Sequence, residues 1–307
     1  MRIAIIGAGH VGATAAYALM LRALVNEIVL IDCNVALAEA EAADIADANA
    51  LARPARIWAG DYADAALARI AIITAGAATQ GSESRMSVLT RSAAIVSECV
   101  RSLSSAGFAG IIVVAANPVD VMAQVAFQNA GLPSKRVIGT GTLLDTSRLR
   151  QALAAKLDIA PSAIEGLVLG EHGDSEAAAF STVRVGGLSL DQFALPSESL
   201  DQNAIRSEVR DAAYRIVSGK GYTSFGVATA IVRICEVIIR NERAMLPVST
   251  LLTGQFGIRD VYLSLPCILG ADGVDRVLVP VLSDSERAAL AHSAAVIGKA
   301  IAHLDTL

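Results

Sequence analysis

The sequence predicts an α/β protein whose first half forms a doubly wound parallel sheet and whose second half forms another α/β domain. Short apolar runs and helix-forming runs follow one another along the whole chain. The apolar runs of the first half are continuous, which is typical of parallel strands that are buried on both faces. A length of 307 residues is sufficient for two domains with buried cores.

Composition and charge exclude several classes of protein. Apolar residues make up 54% of the chain and charged residues 18%, which argues against intrinsic disorder. The net charge of −5 provides no basic surface for nucleic acid. An apolar run directly follows Met1-Arg2 and leaves no room for a signal peptide, and serines and Pro118 interrupt the longest charge-free run, 102–119. We therefore expect a cytoplasmic protein that binds neither nucleic acid nor a membrane.

The four cysteines favour a reducing compartment. They are Cys33, Cys99, Cys235 and Cys267, and no two are close enough in sequence to form a CxxC unit. Isolated cysteines of this kind usually behave as small buried hydrophobic residues. We expect four buried thiols and no bound metal.

The first predicted strand, 2–6, runs directly into a glycine-rich turn and then into a predicted helix, 13–21. The turn has the pattern G-x-G-x-x-G and reads Gly7-Ala8-Gly9-His10-Val11-Gly12. Strand, turn and helix in this order are the context in which the pattern indicates dinucleotide binding. The first glycine permits the tight turn, the second lets a pyrophosphate approach the backbone, and the third lets the helix pack on the strand. We assign Gly7, Gly9, Val11 and Gly12 to the cofactor.

The next predicted strand, 27–32, ends in an acid, Asp32, twenty residues after Gly12. An acid at this position accepts hydrogen bonds from the adenosine ribose and repels a 2′-phosphate. The two signals together predict a Rossmann domain that binds NAD rather than NADP. A methyltransferase could share the glycines and the acid, so that alternative stays open.

The later strands of the first half end in small or polar residues. A predicted helix occupies 35–52, and the strands are 56–59, 69–74 and 111–115. Because ligands bind at the carboxyl ends of the strands in a doubly wound sheet, we place Thr74, Ala75, Gly76 and Asn117 on the cofactor side. For Asn117, a simple Asn-Pro turn is the alternative.

A polar loop, 77–85, separates two of these strands and leads into a long predicted helix, 86–103. The loop carries one positive charge, Arg85, and has the composition of a mobile lid. The alternative is a solvated loop in which Ser82 or Ser84 caps the helix.

One histidine of the second half lies in an unusual context. It is the centre of the run Gly170-Glu171-His172-Gly173-Asp174-Ser175-Glu176. Histidine is the side chain best suited to proton transfer near neutral pH, and flanking glycines let a ligand come close. A polar surface turn, or a core histidine paired with a carboxylate, is the alternative interpretation.

A turn at 139–142 opens a predicted helix in which Asp145 and Arg148 are three residues apart and share one face. One interpretation is a surface ion pair of little energetic value. The other gives the two residues separate functions. In that case Asp145 orients an imidazole, and Arg148 binds a carboxylate through two parallel hydrogen bonds.

The rest of the second half predicts alternating strands and helices, with a cleft between the two halves of the chain. The predicted strands are 166–170, 182–185, 245–252, 261–269 and 274–278. The predicted helices are 203–218, 224–240 and 283–303, and Ser283 with Glu286 forms a capping-box pattern at the start of the last.

Seven separate motifs together resemble the lactate/malate dehydrogenase family over essentially the whole chain. They are Gly7-Ala8-Gly9 with Gly12, and the runs 73–76, 83–85, 117–120, 139–145, 170–176 and 246–249. The resemblance implies hydride transfer between NAD and a small 2-oxo or 2-hydroxy acid. It also implies an NAD-binding domain at 1–140, a substrate-binding catalytic domain at 141–307, and a homotetramer or homodimer.

The resemblance also implies a role for six side chains. It implies that His172 is the proton donor and acceptor and that Asp145 is the partner of its imidazole. Arg148 would anchor the substrate carboxylate, and Arg85 would polarise the carbonyl. Asn117 and Thr223 would line the nicotinamide and substrate pocket.

Within the family, Glu83 and Glu176 resemble the lactate branch rather than the malate branch. The loop position that is usually glutamine for lactate and arginine for malate aligns with Thr79, and its neighbour Gln80 could serve if the loop shifts by one residue. We expect both to lie at the substrate. The alternatives are a malate dehydrogenase, a dehydrogenase of bulkier acids, or an NAD-binding sensor. A sensor is expected to have lost a catalytic residue, and all of them are present.

Overall fold

A computed structural model describes residues 1–52, 55–77, 85–193 and 200–306, and its first half contains the predicted parallel sheet. The strands are β1 (Arg2–Ile6), β2 (Glu27–Ile31), β3 (Arg56–Ala59), β4 (Ile70–Ile73), β5 (Ile111–Val114) and β6 (Val137–Gly139). They lie in the order β3-β2-β1-β4-β5-β6 and are all parallel. The strand order reverses between β1 and β4, and in such sheets the ligand crevice lies at the carboxyl ends of these two strands.

Helices cover both faces of this sheet. They are α1 (His10–Leu21), α2 (Val35–Asn49), α3 (Tyr62–Ala66), α4 (Arg85–Ser105) and α5 (Val119–Ala130). Alternate residues of β1 enter two different cores: Ile3 and Ile5 lie in one, and Ala4 and Ile6 lie in the other. Burial on both faces is the reason that the strand reads as a continuous apolar run.

The second half adds a small sheet and extends the large one. Its elements are α6 (Leu143–Leu157), β7 (Ile164–Leu169), β8 (Ala177–Val185), β9 (Leu188–Ser189), α7 (Leu190–Phe193), α8 (Gln202–Lys220), α9 (Phe225–Arg240), β10 (Ala244–Thr253), β11 (Arg259–Gly270), β12 (Gly273–Val277) and α10 (Asp284–Leu304). Strands β7, β8 and β9 form an antiparallel sheet. Strands β10, β11 and β12 continue the large sheet beyond β6, where Ser249 pairs with Gly139. The chain is therefore the predicted α/β protein, with a Rossmann sheet and a second α/β unit.

The predicted capping box is present at the start of α10. Ser283 Oγ accepts from the amide of Glu286, and the Glu286 carboxylate accepts from the amide of Ser283. The same carboxylate accepts from the Ser181 amide in β8 at 3.0 Å. The cap therefore also fixes α10 against the small sheet.

Several predicted details are wrong. Helix α2 ends at Asn49 rather than at residue 52, and β8 begins at Ala177, five residues before the predicted start. Gly139 belongs to β6 and not to a turn. One of the four free thiols, Cys33, is exposed because it lies two residues beyond the end of β2, at the rim of the crevice.

A search for membrane-spanning helices in the described portion finds none of sufficient length and apolar character.

Candidate active site

The glycine-rich turn connects β1 to α1 in a conformation that two of its glycines make possible. Gly7 has a φ of +106°, and a Cβ there would lie 2.6 Å from the Ala75 amide nitrogen. A Cβ on Gly12 would lie 1.9 Å from the Gly7 oxygen. A Cβ on Gly9 would meet no atom within 4 Å, so this glycine faces open space. That space lies at the N-terminus of α1, where main-chain amides and the helix dipole favour an anion.

The acid at the end of β2 supports this turn. Asp32 Oδ2 accepts from the Ala8 amide at 2.7 Å, and its Oδ1 accepts from the Asn34 amide at 2.8 Å. Thr74 supports the turn from the other side, because its hydroxyl donates to the Gly7 carbonyl at 2.7 Å. Both side chains therefore hold the glycine-rich turn in place.

A cavity of about 690 Å³ lies beside these residues. Its lining includes Gly7, Asp32, Tyr62, Ala75 and Gly76. Its volume is in the range of cofactor sites. Asp32 lines this cavity together with Gly7 of the glycine-rich turn. The residues therefore fit a dinucleotide.

The predicted histidine lies in the loop between β7 and β8. Gly170 starts the loop with a φ of +88°, and a Cβ there would lie 2.5 Å from Ser293 Oγ of α10. The His172 side chain is 24% exposed, and its Nδ1 lies 2.5 Å from Asp145 Oδ2. The His172 main-chain amide donates to Asp120 Oδ2 at 2.8 Å. The imidazole is therefore held through its ring and through its backbone.

Asp145 binds two partners, one with each oxygen. Its second oxygen, Oδ1, accepts from Arg148 Nη1 at 2.8 Å. The Asp145 side chain is 2% exposed and that of Arg148 is 14% exposed, so this is a buried pair and not the surface pair considered from the sequence. A shared carboxylate fixes the position of the guanidinium relative to the imidazole.

The charges of this cluster favour a protonated imidazole. Burial alone would lower the pKa of His172, but the Asp145 carboxylate outweighs burial and raises it to about 9. Burial alone would raise the pKa of Asp145, but His172 and Arg148 hold it below its ordinary value. At neutral pH the pair is an imidazolium and a carboxylate, with Nδ1 bonded to Asp145.

A cavity of about 610 Å³ opens beside the histidine, and its lining includes Asn117, Arg148, His172 and Glu176. Burial and the charge of Asp145 raise the pKa of Glu176 to about 8. Glu176 is therefore mostly protonated at pH 7 and adds little negative charge near the guanidinium.

A smaller adjoining cavity, of about 100 Å³, brings both halves of the predicted site together. Its lining includes Val11 from α1, Asn117 from the end of β5, and Arg148, His172 and Thr223 from the second half. A ligand at the glycine-rich turn and a ligand on Arg148 can thus meet beside the imidazole.

Three predicted site residues are not placed in this way. Arg85 is the first residue of α4, but its side chain is not described. Thr79 and Gln80 lie outside the described residues. Asp120, in the motif after Asn117, and Val227, which lines the small cavity, are among the residues of the site that received no role from the sequence.

Two family models match the chain. The lactate/malate dehydrogenase NAD binding domain matches residues 1–139, and the lactate/malate dehydrogenase alpha/beta C-terminal domain matches residues 142–306. Among similar curated proteins, an L-lactate dehydrogenase of Moorella thermoacetica is 42% identical over 99% of this chain and 98% of its own length. An L-lactate dehydrogenase of Thermus aquaticus is 41% identical over 97% of each chain.

Solved structures of lactate dehydrogenases have the same fold. The minor L-lactate dehydrogenase from Enterococcus mundtii, in its ligands-bound form, superposes with a TM-score of 0.95 at 36% identity and covers 100% of this chain and 98% of that chain. A lactate dehydrogenase from a Medee basin deep-sea metagenome library gives a TM-score of 0.96 at 38% identity, over 99% of this chain and 98% of that one.

Proposed function

This chain belongs to the lactate/malate dehydrogenase family, and from this premise we propose that it is an NAD-dependent L-lactate dehydrogenase. The observation that carries the proposal is the cluster in which one carboxylate, Asp145, holds both the His172 imidazole and the Arg148 guanidinium at the wall of a shared cavity. Relatives at about 40% identity over nearly the full chain support lactate as the substrate over malate or bulkier acids.

The proposed mechanism uses the chain's own groups to bind pyruvate and to move a proton. Bound NADH supplies the hydride. Arg148 binds the pyruvate carboxylate through parallel hydrogen bonds, which orients the keto group toward His172. Nδ1 of His172 is bonded to Asp145, so Nε2 is the atom that donates the proton to the developing alkoxide. In the reverse direction the neutral Nε2 accepts the proton of lactate.

The remaining roles follow the same proposal. Asn117 and Thr223 line the nicotinamide and substrate pocket, and Arg85 polarises the carbonyl when its loop closes and excludes water. Thr79 or Gln80 faces the methyl end of pyruvate. The cofactor is held by Gly7, Gly9, Val11, Gly12, Asp32, Thr74, Ala75, Gly76 and Asn117.

The domain bounds, the assembly and the cellular setting are also part of the proposal. We propose that the enzyme has an NAD-binding domain at 1–140 and a catalytic domain at 141–307, and that it assembles as a homotetramer or homodimer. It works in the cytoplasm, where it reduces the pyruvate formed in glycolysis. The similarity to bacterial L-lactate dehydrogenases supports this setting.

A comparison of three keto acids tests the proposed substrate. Initial rates of NADH oxidation are measured with pyruvate, oxaloacetate and phenylpyruvate. Pyruvate is expected to give the highest kcat/KM. A higher kcat/KM with oxaloacetate would replace the proposal with a malate dehydrogenase, and a higher kcat/KM with phenylpyruvate would replace it with a dehydrogenase of bulkier acids.

The pH dependence should follow the protonation of His172. Pyruvate reduction needs the imidazolium, so kcat/KM should be flat near pH 7 and should fall as the pH rises through about 9. Lactate oxidation needs the neutral imidazole and should rise over the same range. In an Asp145→Asn variant the fall should move to lower pH by more than about one unit, because the main charge that raises the His172 pKa is gone. A reduction rate that rises above pH 9 would contradict the assignment.

The choice of cofactor should depend on Asp32. NADH should be preferred to NADPH by about 10²-fold or more in kcat/KM, since like charges in contact cost several kcal/mol. Asp32→Asn removes the charge but keeps an oxygen that can accept from the Ala8 amide. Steady-state kinetics of this variant should show a smaller preference, whereas an unchanged ratio would mean that Asp32 does not face the ribose.

A further inference from the structure

A second buried carboxylate, that of Asp120, binds the main chain of His172. Asp120 lies in the first turn of α5 and is 1% exposed. Its Oδ2 accepts the His172 main-chain amide at 2.8 Å, across 52 residues of sequence. This bond ties the histidine loop of the second half to a helix of the Rossmann half.

The other oxygen of this carboxylate, Oδ1, is poorly satisfied in its hydrogen bonding. Among the residues that the structure describes, neither Asp120 Oδ1 nor the nearby Ser249 Oγ forms a hydrogen bond of ordinary geometry, and both atoms are buried. Burial raises the pKa of Asp120 to about 6, although Ser249 and His172 oppose this rise. The group is still mostly ionised at pH 7. Holding a backbone amide needs only a neutral acceptor, so a buried charge here is more costly than that task requires.

Among the described residues that act on the charge of Asp120, His172 is the one that can carry a positive charge. Asp120 faces His172 and Glu171, and the negative charge of Glu171 only adds to the cost of ionisation. His172 in turn faces Asp145 and Arg148, and the charge of Asp120 favours its imidazolium while that of Arg148 opposes it. The other titratable groups that line the cavity beside the imidazole are Asp174, Glu176, Arg210, Tyr214 and His292.

We propose that Asp120 is a positioning residue of the active site, which fixes the main chain of His172 and adds its charge to that of Asp145 to keep the imidazole in its proton-donating form. The inference rests on the proposed function, because it assigns Asp120 to the proton-transfer step. It also gives a role to Asp120, the last residue of the motif at 117–120, which the mechanism otherwise leaves unused.

Asp120→Asn tests the proposal, since the amide oxygen can still accept the His172 amide while the charge is lost. The variant is expected to bind pyruvate with a KM within about threefold of wild type. The alkaline fall of its pyruvate reduction should move to lower pH by about one unit. Glu286→Gln is the matched control, because it removes another buried carboxylate, which binds Ser181 and Ser283 instead, and its profile should not move.

A second readout does not depend on turnover. The chain has four histidines, so the ring signals of His172 can be followed by NMR during a pH titration. In Asp120→Asn the His172 titration should move to lower pH by the same amount. If the variant does not fold, wild type decides: its His172 signal should show a minor inflection near pH 6, where Asp120 titrates, below the main one near 9.

Each outcome is decisive. An unchanged His172 titration in Asp120→Asn, or no inflection near pH 6 in wild type, would overturn the role of Asp120 even if turnover falls. A wild-type enzyme that does not reduce pyruvate but shows the expected titrations would instead overturn the proposed function and leave the coupling between the two residues standing.

Discussion

Replacing His172 with Asn is expected to lower the turnover of pyruvate by about 10²–10⁴-fold, the usual contribution of general acid–base catalysis. The amide cannot donate a proton of suitable acidity to the carbonyl oxygen. NADH binding should change little, because the glycine-rich turn and Asp32 lie at a separate cavity. The measurements are kcat by NADH absorbance and the Kd of NADH by fluorescence titration.

His292→Asn provides the matched control for this change. His292 belongs to α10 and lines the cavity of about 610 Å³ that His172 also lines, but it has no proposed part in proton transfer. Its variant should keep most of the wild-type turnover. A His172→Asn enzyme that retains more than half of its turnover, or a His292 variant that loses as much as the His172 variant, would remove the basis for the mechanism.

Oxaloacetate is expected to be a poorer substrate than pyruvate by about 10²-fold or more in kcat/KM. A dicarboxylate needs a cation from the loop to meet its distal carboxylate, but residues 79–82 are neutral and Glu83 is acidic. An unpaired carboxylate in a closed site leaves its desolvation uncompensated, and losing a buried charge partner costs roughly 3–5 kcal/mol.

Two arginine variants identify the loop position that faces the substrate. Thr79→Arg should raise kcat/KM for oxaloacetate and lower it for pyruvate, and Gln80→Arg should have the smaller effect. The reverse order would mean that the loop is shifted by one residue and that Gln80 faces the substrate. The explanation fails if neither variant changes the substrate ratio, or if wild type already reduces both acids equally well.

Local patterns were sufficient to predict most of the first half. The glycine-rich turn could be identified because Gly7 and Gly12 satisfy constraints that arise within one strand–turn–helix unit. The strands β1 and β2 could be recognised as parallel and buried because all their residues after the first are apolar. Such features depend mainly on near neighbours in the sequence.

Elements that are defined by distant contacts were missed. Helix α5 is not predicted from the sequence, because most of its surface is buried and it therefore lacks the polar face of an amphipathic helix. Strand β6 has three residues and is stabilised by β5 on one side and by β10 on the other. The extension of the large sheet by β10, β11 and β12 depends on the pairing of Ser249 with Gly139, which no local pattern indicates.

The residues of the candidate site also divide into those that a local pattern indicates and those that depend on distant contacts. His172, Asp145 and Arg148 could be chosen because each is a chemically distinctive residue in a short motif, and the structure brings all three together. Asp120 lies in the motif at 117–120 but receives no role from the sequence, since its partner is the main chain of a residue 52 positions away. The contact between Asp120 and His172 can therefore be identified only from the three-dimensional structure.

The most direct test of the central claim is the product formed by the purified enzyme from pyruvate and NADH. The proposed function predicts one L-lactate for each NADH oxidised, with no D-lactate, as measured with stereospecific assays on the quenched reaction. Formation of D-lactate, or oxidation of NADH only when oxaloacetate replaces pyruvate, would contradict it.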